Sequence, residues 1–276
     1  MKPTPEQFSI FDMIIEHPPK DLVIPSEKVS EPIQTAKIPS GSKNLCPYQI
    51  PTVNEIIKLI ESAAYSVNTS KLISDVFECG ALAIVNKVDF SKYDEREERY
   101  KQIMNTYKPK ERELIAEIFG KIFALLSSVV YDNGTFNDYL GDLFMRCNQG
   151  EKRAGQFFTP YHVSRFMAEI TITDTEIKNG EIYTINDCCC GGGGMLVAAL
   201  DVLKNRYGVN YARDCFIDAG DIDARCVHMT YLQLSLAGVP AIVKHQDALS
   251  RKLWGVWRTP AYMFQYLRFR KYESLN

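Results

Sequence analysis

The sequence contains no apolar run of eighteen residues, so no transmembrane helix is expected from it. Its first residues, Met1-Lys2-Pro3-Thr4-Pro5, lack the apolar stretch of a signal peptide. Neither sign of charge dominates: 32 Lys plus Arg stand against 34 Asp plus Glu, for a formal net charge of −2. That balance argues against bulk electrostatic adhesion to nucleic acid, though not against a local basic patch. Histidine is scarce. The four residues, His17, His162, His228 and His245, form no metal-ligand spacing with the cysteines, and there is no C-x-x-C, so no structural zinc is expected. The eight cysteines do not read as a secreted scaffold, because Cys188, Cys189 and Cys190 are consecutive and neighbours bridge poorly; reduced thiols in a cytoplasm are the expectation.

What is present is a globular composition, 46% hydrophobic and 24% charged over 276 residues, enough for one or two domains with a buried core. Residues 1–50 hold eight of the thirteen prolines and read as an arm or surface strap, with a short helix from Glu6 to Ile15. Residues 51–150 read as a helical domain. Its strongest signal follows Pro109, where Leu114, Ile115, Ile118, Phe119, Ile122, Phe123, Leu125 and Leu126 form an apolar stripe, with Glu111 and Glu113 near the positive N-terminal end. A further helix is expected over about 137–147.

Beyond residue 150 the pattern changes. Strand-like runs at 181–187, 214–221 and 240–245 alternate with helical segments at 195–207 and 224–237, the signature of a parallel, doubly wound half-sheet. The first strand ends in Asp187-Cys-Cys-Cys-Gly191-Gly192-Gly193-Gly194. Glycines in a first strand-to-helix turn let a ligand approach the backbone and the free N–H groups of the helix; the plain alternative is a flexible turn. Asp221 ends the second strand, where a carboxylate can accept both hydroxyls of a ribose, or can simply cap a helix. Asp247 closes the third strand, facing the same crevice or capping a helix that begins with Ala248. Upstream, Gly155-Gln156-Phe157-Phe158-Thr159-Pro160 precedes a helix, with Thr159 as N-cap, Pro160 first in the helix, and Val163, Phe166, Met167 and Ile170 turned inward.

Together these segments resemble the N6-adenine DNA methylases of the type I restriction–modification kind. Modification subunits of that family carry G-x-F-F-T-P, then D-P-x-C-G-S-G-G, then an acid ahead of a helix, then a G-D-x-L strand end. The counterparts here are Gly155 to Pro160, Asp187 to Gly194, Asp221 with Asp223, and Gln246-Asp247-Ala248-Leu249, preceded by Tyr139-Leu-Gly-Asp-Leu-Phe. Cys188 replaces the family's Pro, Gly192 its Ser, and Asp221 its usual Glu. The resemblance implies an α/β fold, a helical N-terminal domain plus a truncated Rossmann-like methyltransferase sheet. It also implies S-adenosylmethionine as cofactor and DNA as substrate. Phe158 and Thr159 would meet the methionine end, Asp187 its amino group, and Gly191 and Gly193 the cofactor's length. Asp221 would hold the ribose and Asp247 the adenine, while Cys190 would pack beneath the loop.

One family motif is missing. Adenine methylases hold the flipped base with N-P-P-[YF] after the fourth strand, where an Asn side chain and a Pro carbonyl grip the amino group and an aromatic ring stacks on the base. The nearest string here is Thr259-Pro260-Ala261-Tyr262, which leaves Thr259, Pro260 and Tyr262 as weak catalytic candidates. Only 26 residues follow Ser250, enough for one strand, expected over 262–269 after a crossover through 253–257. That tail, 251–276, is basic and aromatic: Arg251, Lys252, Arg258, Arg268, Arg270 and Lys271 interleave with seven aromatics from Trp254 to Tyr272. It suits phosphate and base contacts, or an edge strand covering the open side of the first strand. A specificity subunit or another chain is the other candidate for that edge. Two functions stay open: an S-adenosylmethionine-dependent DNA N6-adenine methyltransferase, or an inactive cofactor-binding or assembly subunit. A nucleotide-dependent oxidoreductase fits poorly, since no G-x-G-x-x-G is present.

Overall fold

The computed structural model describes residues 48–131, 134–148, 157–173 and 182–273. The proline-rich arm to residue 47, its expected helix at 6–15, and Gly155 and Gln156 lie outside the described residues.

Among the described residues, five helices come first. α1 (Val53–Ser62) opens with a reciprocal cap in which the Glu55 N–H donates to Thr52 Oγ1 and the Thr52 N–H to Glu55 Oε2. α2 (Thr69–Val85) is capped by Asn68, whose Oδ1 accepts the Lys71 N–H, and its second half, Cys79 to Val85, is apolar and buried all round because it is enclosed on several sides. α3 (Tyr93–Asn105) and α4 (Pro109–Ser127) follow, the latter with Pro109 in its first turn as the sequence predicts. α5 (Tyr139–Cys147) is capped by Asp138, whose carboxylate accepts the Gly141 N–H at 3.0 Å.

α6 (Tyr161–Thr171) departs from expectation in two ways. Pro160 takes the extended ψ of 137°, so it occupies the cap position and the helix begins one residue later than predicted. The stripe expected inward faces out: Val163, Phe166, Met167 and Ile170 are 38–63% exposed, and Ser164 and Ala168 are the buried positions. The reason is the neighbour. α6 lies against α7 (Gly194–Asn205), where Ala168 packs with Ala198 and Val202, and small residues permit the closest approach of two helices.

The sheet is built from β1 (Tyr183–Asp187), β2 (Cys215–Asp221), β3 (Ala241–Asp247) and β4 (Lys252–Arg258), in that spatial order. β1 to β3 are parallel, joined by α7 with the one-turn α8 (Tyr211–Asp214), and by α9 (Ala224–Leu236). Because the order advances in one direction, right-handed crossovers place α7 and α9 on the same face. There Ile217, Ala219 and Val243 join Leu72, Phe77, Phe119 and Phe144 of the N-terminal helices in one continuous apolar core. The opposite face is covered by the tail.

That tail is not the strand expected over 262–269. β4 pairs antiparallel with β3, and residues 260–264 and 266–273 form helices α10 (Pro260–Phe264) and α11 (Tyr266–Glu273). A tight turn explains the difference: Asp247 accepts the N–H groups of Leu249 and Ser250, and Arg251 adopts a left-handed φ of 59°, so the chain doubles back at once rather than crossing over. α11 then lays Phe269, with Tyr262 of α10, against Phe216 and Ile242. Hence the tail sits beyond β3, and the far edge of β1 is not covered by it. Two tail arginines are tied down, Arg258 to Glu273 and Arg268 to Asp214.

Candidate functional site

The carboxyl ends of β1, β2 and β3 point the same way, and Asp187, Asp221 and Asp247 each end one of them. In parallel α/β sheets this crevice is where ligands bind. At its floor is the loop Cys188–Gly193, which turns from β1 into α7. Gly191 and Gly193 have φ of +54° and +89°, left-handed conformations that residues with a Cβ seldom adopt.

The loop is held at almost every peptide. The Cys190 N–H donates to Gly220 O at 2.9 Å, and the Gly191 N–H to Asp221 Oδ2 at 2.8 Å. From α9, Thr230 Oγ1 donates to Gly191 O at 2.9 Å and Gln233 Nε2 to Gly192 O at 2.7 Å. Gln233 Nε2 also reaches Asp138 Oδ1 at 2.9 Å, coupling the loop to the cap of α5. Asp138 is buried, and that burial raises its carboxyl above the usual range. Thr230, Gln233 and Asp138 carry no role in the sequence reading. Their signal was nonetheless there: two polar residues one turn apart inside an apolar helix, and an acid directly ahead of the Tyr139-Leu-Gly run.

Asp221 is almost wholly buried, and both its oxygens are engaged, Oδ2 by Gly191 and Oδ1 by the Asp223 N–H at 2.8 Å. A carboxylate oxygen has two lone pairs, so each can still accept a hydroxyl. Asp187 is half-buried and its Oδ1 accepts the Cys189 N–H at 3.1 Å. Asp247 is more committed. Its carboxylate accepts the N–H groups of Leu249 and Ser250 and the Ser250 hydroxyl, and these bonds hold its pKa below the usual carboxylate value. Phe158 lies beside the loop, its ring 3.4 Å from where a Cβ on Gly191 would stand, and packs on Phe144 with centroids 5.5 Å apart. Thr159 is exposed next to it, and Phe157 is 86% exposed, so the two phenylalanines are not a buried pair. Cys190 is buried under the loop and its thiol is pushed up to about 12 by burial, the state of an inert packing group.

Thr259, Pro260 and Tyr262 are not brought to this crevice. Thr259 Oγ1 donates to Val239 O at 2.7 Å and accepts the Ala241 N–H, at the amino end of β3. That is the length of the strand away, roughly 20 Å from the glycine loop. Thr259 and Tyr262 are both fully buried, and the Tyr262 hydroxyl donates to Glu273. Among the described residues no cluster could hold a metal ion, and no helix is long and apolar enough to cross a membrane.

The donor set fits a nucleoside-bearing, zwitterionic ligand. Left-handed glycines leave the loop without side chains, the N-terminus of α7 offers N–H groups, and carboxylates stand at the ends of adjacent strands. Beside the crevice, α6, β1 and α7 enclose a groove of about 390 Å³ lined by Met167, Ile172, Ile185, Met195 and Ala199 along the edge of β1 that no described strand pairs with.

Residues 135–263 match the family model described as N-6 DNA Methylase. Among solved structures, the chain is similar to a type I restriction–modification methyltransferase subunit from Streptococcus thermophilus, at 18% identity over 74% of this chain and 40% of that one, with a TM-score of 0.39. It is also similar to a modification subunit of a type I restriction enzyme from Vibrio vulnificus, at 16% identity over 73% and 57% of the chains, TM-score 0.40. A protein from Listeria monocytogenes described as a class I S-adenosylmethionine-dependent methyltransferase gives 14% identity over 71% and 54%, TM-score 0.38. The chain thus spans 40–57% of the length of these structures. No curated protein matches it.

Proposed function

We propose that this chain, whose residues 135–263 match the N-6 DNA methylase family, is the S-adenosylmethionine-binding part of a site-specific DNA N6-adenine methyltransferase of the modification-subunit type. The observation that carries the reading is the glycine loop, fastened at Cys190, Gly191 and Gly192 to β2 and α9 while its open side faces the strand ends. A loop already ordered loses little freedom when a ligand arrives. When bound, the cofactor supplies an activated sulfonium methyl group for transfer. The chain's residues bind and orient. Gly191 and Gly193 admit the ligand, Asp187 takes its amino group, and Asp221 accepts ribose hydroxyls on its remaining lone pairs. Phe158 and Thr159 flank the methionine end. Asp247 accepts the adenine amino group, which requires its turn to share an oxygen.

A second reading, a cofactor-binding or assembly subunit without catalysis of its own, is favoured by one finding. The chain's nearest counterpart of the base-gripping motif, Thr259 to Tyr262, is buried at the far end of the sheet. Calorimetric titration with S-adenosylmethionine, paired with transfer of tritiated methyl groups to DNA, separates the two. Binding with transfer supports the first, binding without transfer the second, and absence of binding overturns both.

The edge of β1 is where a specificity subunit or another chain would pair. Phe166, Met167 and Ile170 on α6 are exposed beside it, an apolar patch of the kind that marks an interface. A Phe166→Asp variant is expected to keep cofactor binding and lose co-elution with such a subunit. Unchanged co-elution would remove this edge from the interface. A cytoplasmic site of action follows from DNA as substrate.

A further inference from the structure

A second cavity, of about 200 Å³, lies outside the crevice, between α2, α3, the start of α9 and the β3–β4 hairpin. Its lining includes His228, His245, Trp254, Trp257, Arg96 and Arg99. Most of these groups are already engaged. Arg96 pairs with Asp89, Arg99 with Glu78, and His245 Nε2 meets Ile222 O at 3.1 Å. His228 is the exception: only 7% exposed, it lines the cavity and its ring nitrogens have no hydrogen-bond partner among the described residues. Its ring rests edge-on against Trp257, centroids 4.9 Å apart, which fixes its plane. Burial depresses its pKa to about 4, so at neutral pH it is an uncharged imidazole with one donor and one acceptor nitrogen.

Those nitrogens are not shut off from solvent: they open into the cavity, where water can meet them and a ligand with matching groups can take the water's place. The cavity is below the range of drug-sized sites, so it suits one ring system rather than a dinucleotide. Its aromatic side is Trp254, 42% exposed at the mouth, tilted over His245 at 4.7 Å and with the Lys252 ammonium 5.4 Å from its ring centroid, so a stacked base would take the place of that ammonium. A flat heterocycle with both donors and acceptors on its edge matches the imidazole and the indole together. We propose that this cavity binds a nucleobase, stacked on Trp254 and hydrogen-bonded at its edge by His228. A tyrosine or tryptophan side chain from a peptide would stack equally but brings a donor with little acceptor capacity, and so satisfies His228 less well. The base can belong to a free nucleoside or to an unpaired nucleotide of DNA: Lys92, Arg96 and Arg99 are paired with Glu95, Asp89 and Glu78, so the cavity carries no strong net charge against either.

The chain carries two tryptophans, and both line this cavity. Intrinsic tryptophan fluorescence therefore reports on this site alone. The full chain is titrated in separate arms with adenosine, cytidine, guanosine and thymidine, with single-stranded oligonucleotides, and with a tyrosine-bearing peptide, each with and without saturating S-adenosylmethionine. Saturable quenching by a nucleoside supports a free-base source, and quenching only by oligonucleotides supports a DNA base. His228→Leu is expected to weaken binding about three- to tenfold from the lost hydrogen bond. Trp254→Leu, at a half-exposed position that tolerates change, is expected to weaken it at least about fivefold, read from the remaining Trp257. Neither variant should alter S-adenosylmethionine affinity. No saturable quenching by any nucleoside or oligonucleotide would overturn the proposal. So would quenching by the peptide alone, competition by S-adenosylmethionine, or nucleoside affinity unchanged in both variants.

Discussion

Gln233 offers the sharpest test of how the loop is held. Its side-chain nitrogen donates at once to Gly192 O at 2.7 Å and to Asp138 Oδ1 at 2.9 Å, and the residue is 3% exposed. Its own Oε1 is buried without a partner. Gln233→Met keeps length and volume but removes the donor. Two buried acceptors then each lose a bond worth about 1–3 kcal/mol, Asp138 Oδ1 keeping only the Gly141 N–H. Removing the unpartnered Oε1 returns a similar amount once. The net is a loss of about 1–3 kcal/mol. For a chain of this size each kcal/mol moves the melting midpoint by roughly 2–4 °C, so a fall of about 2–12 °C is expected in calorimetry. Because the anchor of Gly192 goes with it, S-adenosylmethionine affinity should drop about fivefold by titration. A variant that melts within about 1 °C of the parent and binds equally well would refute the idea that α9 fastens the loop.

Other outcomes rest on the same geometry. Gly193→Ala forces a Cβ into a φ of +89°, 3.0 Å from Thr230 Oγ1, and should cost about 1–2 kcal/mol in urea unfolding as well as cofactor affinity. Asp221→Ala removes the acceptor of the Gly191 and Asp223 N–H groups; cofactor binding should weaken by about 1.5–3 kcal/mol, and unaltered affinity would take Asp221 out of the site. Phe269→Ala, fully buried against Phe216, should cost about 3–5 kcal/mol, whereas a tail that merely dangled would make it neutral. His228 gives a pH dependence: burial lowers its folded pKa to about 4 from about 6.5, so the unfolded chain binds more protons between those values. Its contribution is complete above about pH 6.5 and is lost as pH falls towards 4, by up to about 3 kcal/mol. His228→Phe should flatten that window in denaturation curves taken from pH 4 to 7, and an unchanged slope would contradict the burial of a neutral imidazole.

Periodicity and turn chemistry were enough to read α4, α5, α7 and α9 and the three parallel strands to within a few residues. They were also enough to place Asp187, Asp221 and Asp247 at the ends of adjacent strands. Each of those features is local: an apolar stripe at helical spacing, a proline in a first turn, glycines after a β-type run. Where packing partners decide the outcome, local pattern misleads. The stripe Val163, Phe166, Met167, Ile170 has perfect helical spacing, yet it faces out, because spacing says which residues share a face and not which face meets the core. The tail's aromatics fit a strand or a helix equally, and the turn closed by Asp247 and Arg251 decided between them.

The sequence by itself determined the class of fold and the position of the glycine loop, since these depend on residue types that only a few conformations accommodate. The tertiary structure alone decided what holds that loop, because Asp138 and Gln233 are 95 residues apart and meet only when α9 packs beside α5. It likewise decided that Thr259 to Tyr262 lie at the wrong end of the sheet for the crevice, and that among the described residues no strand pairs with the far edge of β1. Strand order and direction depend on which long-range pairings bury the most apolar surface, and no short stretch of sequence carries that sum.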